Sequence, residues 1–331
     1  MKAIIVESDQ SLAWQNVPDP QPKSNEAIIE VHYTALNRAD LSQCAGKYPP
    51  PPGESELLGL ELSGIIKQLP ASTKDWKIGD KVCALLSGGG YAELATVPVD
   101  MPMPIPKNWT LQEAAGLPEV FFTAFLNLFL EAKLQPGEKV LIHGGASGVG
   151  TAAIQLAREA GCEIFTTVGS EDKAAFCKKL GAHHVINYKT QDFAEVVKGS
   201  DQHVDVILDM VGANYFERNI NLLGTNGRLV FVATLGGTTT ELDIRKLMAK
   251  RIMLKGSTLR ARPLVEKVEI KEAFMSRFWE ALEQQRIKTI IDSVFDIRDT
   301  EKAHTKMQAN ENIGKILLRV KAESIEQRAK G

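Results

Sequence analysis

The stretch His143-Gly144-Gly145-Ala146-Ser147-Gly148-Val149-Gly150 follows a short apolar run, Lys139 to His143. It opens a segment, Val149 to Ala160, whose apolar residues recur at helical spacing. A glycine-rich turn between a strand and a helix is where a dinucleotide fingerprint belongs. Against Gly-x-Gly-x-x-Gly, Gly145 and Gly150 match and Ser147 takes the middle place. The expected phosphate cradle is therefore Gly145, Ala146, Ser147, Gly148, Val149 and Gly150. Small residues let the backbone approach a pyrophosphate, and the next helix offers free N–H groups and a positive dipole end. With no ligand, the same residues would be only a tight strand–helix turn.

Outward from this turn, strands and helices alternate. Lys139 to His143, Glu163 to Val168, His184 to Asn187, Val204 to Leu208, Arg228 to Ala233 and Ile252 to Gly256 read as six strands. Ser170 to Leu180 reads as a helix with Ser170 at its N-cap and Gly181 just past its end. Strands joined through helices pair in parallel, which predicts a doubly wound α/β Rossmann unit over residues 121–260. Residues 1–120 have a different texture of strand-like segments and turn signals. Ala27 to Tyr33 and Lys81 to Leu86 read as strands, another begins near Tyr91, and Pro49 to Pro52 is an extended loop. Val120 to Leu130 has the length of a buried core helix. Residues 261–331 are mixed: a helix near Ala273 to Gln284, a strand at Ile290 to Val294, a helix around Thr300 to Ala309 and a strand from Lys315 to Val320. They fit either texture.

The chain has 331 residues and a net charge of −2, so no global field favours nucleic acid or an anionic membrane. The one charge cluster, Lys315 to Lys330, mixes signs and reads as a solvated tail. The apolar run after Met1 is too short for a secretory signal, and no apolar run has membrane-spanning length. The cysteines at 44, 83, 162 and 177 match no zinc-site spacing, and unpaired cysteines fit a cytoplasmic protein. His183-His184 reads as a strand start, because adjacent strand residues point to opposite faces.

The end of the second strand of the α/β unit bears on the cofactor. An NAD enzyme wants an acidic residue there for the ribose 2′-hydroxyl. Gly169 stands in that place, leaving room for a 2′-phosphate. Ser170, Lys173 and Tyr188 are at hand to bind it. Glu171 and Asp172 argue for NAD but suit a helix N-terminus as simple stabilising anions. NADPH is the predicted cofactor.

Several further stretches carry a resemblance. They are Ala35-Leu36-Asn37-Arg38-Ala39-Asp40-Leu41, Gly46-Lys47-Tyr48-Pro49-Pro50-Pro51, Leu58-Gly59-Leu60-Glu61-Leu62-Ser63-Gly64, Trp76-Lys77-Ile78-Gly79-Asp80, Val185-Ile186-Asn187-Tyr188 and Asn312-Ile313-Gly314-Lys315-Ile316. With the glycine turn, they make the chain resemble the zinc-free quinone oxidoreductases of the medium-chain dehydrogenase/reductase superfamily. The resemblance runs over nearly the whole chain. It implies a GroES-like catalytic β domain built from both ends of the chain (residues 1–120 and 261–331) around the Rossmann domain, with the site in the cleft between them. It also implies a homodimer or homotetramer joined through the nucleotide-domain sheets, near Ile252 to Gly256. Zinc-bearing relatives place ligands where this chain has Asn37 and Leu60, neither of which is a credible zinc ligand. Without that Lewis acid, hydride delivery to an electron-poor acceptor is the natural chemistry.

Three residues are expected around the acceptor. Tyr48 occupies the place where related enoyl reductases carry a functional tyrosine, and a phenol can protonate a developing oxyanion. It could equally be a loop tyrosine packing on prolines. Asn37 would bond substrate or the nicotinamide ribose, or else be a turn or cap asparagine. Thr123 matches a family threonine near the nicotinamide, or bonds back within its helix. Asp40 is read as a cap for a helix beginning near Leu41. Ala233, Thr234, Leu235 and Gly236, with Ser257, Thr258 and Leu259, follow the fifth and sixth strands, where such sheets bind ligands. Asn312 matches a family position contacting NADP. All of these suit plain turns as well. The predicted activity is NADPH-dependent reduction of quinones. The alternatives are a 2-alkenal or enoyl-thioester reductase, and a structural or RNA-binding NADPH protein, although no basic stripe supports RNA.

Overall fold

The computed structural model describes residues 1–199 and 203–321. The chain divides into two compact units, Met1–Val120 with Leu259 onward, and Phe121–Thr258.

The first unit opens with the antiparallel pair β1 (Lys2–Val6) and β2 (Leu12–Asn16). β3 (Glu26–Ala35) leads through α1 (Arg38–Cys44) to β4 (Glu61–Gln68). β5 (Lys81–Leu85), β6 (Leu94–Pro98), β7 (Met103–Pro104) and α2 (Leu111–Ala114) follow. α3 (Pro118–Phe125) carries the chain into the second unit and runs directly into a π-helix, Leu126–Glu131, where one core helix was expected. The Asn127 side chain donates to the Thr123 carbonyl, and the Ala132 N–H reaches back to the Asn127 carbonyl. A side chain inserted into the ladder in this way widens the turn. The strand expected near Tyr91 begins at Leu94 instead; Tyr91 is fully buried and its hydroxyl donates to Asp40.

The second unit contains β8 (Lys139–Ile142), α4 (Gly148–Glu159), β9 (Glu163–Val168), α5 (Glu171–Leu180) and β10 (His184–Asn187). It continues with α6 (Phe193–Lys198), β11 (Val204–Asp209), α7 (Ala213–Leu222), β12 (Leu223–Phe231), α8 (Ile244–Lys250) and β13 (Met253–Gly256). All its pairings are parallel, in the order β10-β9-β8-β11-β12-β13. The order reverses at β8, beside which such sheets bind their ligand. Leu141, Phe165, Ile186, Ile207 and Leu229 fill the core from successive strands.

The chain then returns to the first unit with α9 (Leu264–Glu283), β14 (Ile291–Asp296), α10 (Thr300–Gln308) and β15 (Lys315–Arg319). β15 pairs antiparallel with β3, giving a sheet ordered β14-β15-β3-β4-β5-β7, with β6 also on β3. α9 starts well before the expected Ala273. Its first turns look polar, yet Lys267 and Lys271 are buried, bonding the Ser87 hydroxyl and the Asp100 carbonyl. Lys315, read as the start of a solvated tail, is 3% exposed. The rest of that tail, from residue 322, lies outside the described residues. No helix among the described residues is long and apolar enough to cross a membrane.

Candidate active site

At the end of β8 the backbone does the positioning. Ser147 caps α4 by accepting from the Gly150 N–H at 3.0 Å. A Cβ on Gly145 would lie 2.1 Å from Thr166 Oγ1, and one on Gly150 would lie 2.3 Å from the Gly144 carbonyl oxygen. Only glycine fits at either place. This leaves backbone alone facing the space before the helix N-terminus, which suits a pyrophosphate. A buried chain supports the turn from below. Asn219 donates to Asp209 (3.0 Å), so its oxygen accepts from His143 Nε2 at 2.9 Å. His143 Nδ1 then accepts from the Thr167 hydroxyl at 3.1 Å, whose oxygen takes the Gly144 N–H. Burial pushes His143 below its usual pKa and keeps the ring neutral.

At the end of β9, Gly169, Ser170, Lys173 and Tyr188 come together. A Cβ on Gly169 would meet the Tyr188 hydroxyl at 2.6 Å, and Tyr188 is 45% exposed. Ser170 caps α5 by accepting from the Lys173 N–H. The nearby acid is already occupied, since Glu171 accepts from Asn187 Nδ2 at 2.6 Å. The loop after β12 is tied to the loop after β11: the Leu235 and Gly236 N–H groups donate to Met210 and Val211. Ala233 and Thr234 lead into it. After β13, the Ser257 hydroxyl is buried with no partner among the described residues. Ser257 and Thr258 belong to the second unit. Leu259, 6% exposed, and Asn312 belong to the first. The Asn312 amide closes its own turn on the Gly314 carbonyl at 2.7 Å.

In the first unit, Asn37 is the N-cap of α1, and Asp40 reaches back to accept its N–H at 2.7 Å. The helix thus begins at Arg38, earlier than expected. The Asn37 side chain is engaged at both polar atoms. Nδ2 donates to Glu61 Oε1 (3.0 Å) and to the Ala35 carbonyl (3.3 Å), and Oδ1 accepts from Lys315 Nζ (2.7 Å). Both N–H donors of the Asn37 amide are spent within the protein, which leaves Oδ1, with one bond from Lys315, as the atom through which it could meet a substrate or ribose hydroxyl. Lys315 also donates to the Leu36 carbonyl (2.6 Å) and pairs with Glu61 at 2.8 Å. Glu61, 0% exposed, uses its other oxygen to accept the Glu119 N–H. A buried pair holds only when its remaining bonds are made, as they are here. Zinc does not fit these residues: Leu60 is apolar and buried, and Asn37 already binds an ammonium. Among the described residues, no three His, Cys, Asp or Glu side chains are grouped to hold a metal.

Tyr48 is half-buried, with the Arg260 guanidinium 5.4 Å from its ring centre. Burial, aided by the charge of Glu119, raises its pKa, so its hydroxyl keeps its proton at neutral pH. Arg260 donates to the Ser87 and Tyr48 carbonyls, while its Nη2 is buried without a partner among the described residues. Thr123 is half-buried, and its carbonyl is held by Asn127. The sequence reading missed Glu61, Glu119, Arg260, Lys267 and Lys315 as members of this cluster. Only Glu119 left a signal, as the one charged residue between Ala114 and Leu130.

Two known families match successive parts of the chain. Residues 23–107 match the alcohol dehydrogenase GroES-like domain family, and residues 148–276 match the zinc-binding dehydrogenase family. The quinone oxidoreductase of Mus musculus is 31% identical over 305 residues, covering 90% of each chain. The Escherichia coli quinone oxidoreductase complexed with NADPH superposes with a TM-score of 0.86 at 25% identity, covering 96% of this chain and 99% of that one. The CurK enoyl reductase reaches 0.82 at 29% identity, covering 96% and 98%.

Proposed function

Because the chain belongs to the quinone oxidoreductases of the medium-chain dehydrogenase/reductase superfamily, we propose that it is an NADPH-dependent enzyme that reduces quinones without zinc. The end of β9 carries the cofactor reading: Gly169 stands where an NAD enzyme wants an acid, under the Tyr188 hydroxyl. Bound NADPH supplies a hydride. The backbone from Gly145 to Gly150 holds the pyrophosphate, and Ser170, Lys173 and Tyr188 hold the 2′-phosphate. Thr123, the Ala233–Gly236 loop, Ser257, Thr258, Leu259 and Asn312 complete the proposed cofactor contacts. The Tyr48 hydroxyl donates to the oxygen on which negative charge develops. Its four free thiols support a cytoplasmic location in this reading. A homodimer or homotetramer would join along β13, an edge strand where Met253 is 40% exposed, with Met248 of α8 at 71%.

The likeness to an enoyl reductase favours a second reading, reduction of a 2-alkenal or enoyl thioester by the same hydride geometry. Initial rates with a quinone and with a 2-alkenal, each under NADPH and NADH, separate the two. The expected order is quinone with NADPH first; consumption of the alkenal alone replaces the quinone reading with the second. Tyr48→Phe should lower turnover roughly 10- to 100-fold and leave NADPH affinity unchanged. Full turnover by this variant would show that the hydroxyl is idle.

A further inference from the structure

Glu119 has no part in the reading above, yet its situation is unusual. Although the residue as a whole is only partly covered, its Oε2 is out of solvent and has no hydrogen-bond partner among the described residues. An ionised carboxylate left in that state is costly. The charged groups facing it come from every side: Glu61 on β4, Asp40 on α1, Lys315 on β15 and Lys267 on α9. Tyr48 and Arg260 also feel its charge. The cations are committed elsewhere, Lys315 to Glu61, Asn37 and Leu36, and Lys267 to Ser87. Burial first, and repulsion by Glu61 second, push the Glu119 carboxyl up to about 8. At neutral pH it is a neutral acid within electrostatic reach of the Tyr48 phenol.

We propose that Glu119 is the proton store behind Tyr48, a positioning residue that refills the Tyr48 hydroxyl after that hydroxyl has protonated the acceptor. This role rests on the quinone reading. The acceptor gains the two electrons of the hydride as a carbon–hydrogen bond of the reduced nicotinamide breaks. Its oxygen takes the proton of the Tyr48 O–H bond. The phenolate so left takes the Glu119 proton through intervening water, and the carboxylate is reprotonated from solvent. One proton is consumed per NADPH, which balances the reduction of a quinone to its hydroquinone.

The test has two arms. In the first, wild-type kcat is flat below about pH 8 and falls as pH rises through it, because the carboxyl must enter the cycle protonated. Glu119→Gln should lower kcat by about tenfold or more and remove that limb, while Glu119→Asp keeps a limb. In the second arm, infrared spectra of the resting wild-type protein, with no acceptor present, should show the carbonyl stretch of a neutral carboxylic acid at pH 7. This band should be missing in Glu119→Gln and titrate near pH 8. Asp40, raised only to about 6, is mostly ionised there. If Glu119→Gln fails to fold, the wild-type profile and band still decide. A limb retained by Glu119→Gln, or no neutral-acid band at pH 7, overturns the proton store alone. A wild-type protein that consumes neither quinone nor alkenal overturns the functional reading and this role with it.

Discussion

The two ends of the proposed reaction are built by opposite means. The glycine turn at the end of β8 draws its shape from eight consecutive residues and acts through backbone, with side chains kept small so that nothing intervenes. The cluster around Lys315 draws on Asn37, Glu61 and Lys315, and acts through side-chain charge in a dry interior. Where backbone does the chemistry, neighbouring residues spell it out. Where side chains meet through strand pairing, sequence neighbours mislead, and a lysine in a charged stretch turns out to be buried and bound to Leu36, Asn37 and Glu61.

The contrast is sharpest for Lys315→Met, which leaves Glu61 buried without its cation. Denaturant unfolding should register a loss of about 3–5 kcal/mol. Adding Glu61→Gln should recover part of it, since the orphaned charge is then gone. A loss within the range of an ordinary surface change would mean that the pair is idle and the contrast false. Next in size is Gly150→Ala in the backbone-built end. The added carbon lies 2.3 Å from the Gly144 oxygen, and strain of about 1–3 kcal/mol should weaken NADPH roughly tenfold or more. A thermal melt with and without NADPH reads this directly, and undiminished protection would show that the turn tolerates a side chain. Smallest is Lys173→Ala, which should weaken NADPH roughly tenfold while NADH binding, measured by fluorescence titration, stays put. Equal losses for both coenzymes would remove the phosphate role from this lysine.

The same contrast explains what the sequence disclosed. All six strands of the parallel sheet could be read from it, because each is a short apolar run punctuated by a helix. Asn37 was singled out from its neighbours as a candidate site residue, and the structure buries it in a charged cluster. Its partners were invisible, because the pairing of β15 with β3 brings Lys315 to it across 278 residues. α9 hid its true start because Lys267 and Lys271 bury ammonium groups on what looks like a wet face. Glu119 was passed over because it stands just before Val120 to Leu130, the run read as a core helix, although a single acid beside such a run is the kind of local conflict that marks a site.

The pairing of β15 with β3 also bears on how the chain is made. The second unit is contiguous and can close as soon as its last strand is synthesised, whereas the first must wait for its final strand. Until residue 315 emerges from the ribosome, Glu61 has no cation to neutralise it, and the Asn37 carbonamide oxygen lacks its ammonium. A truncated translation product would therefore carry a finished nucleotide unit beside an unfinished sheet with an open edge at β3, the sort of species that quality control removes.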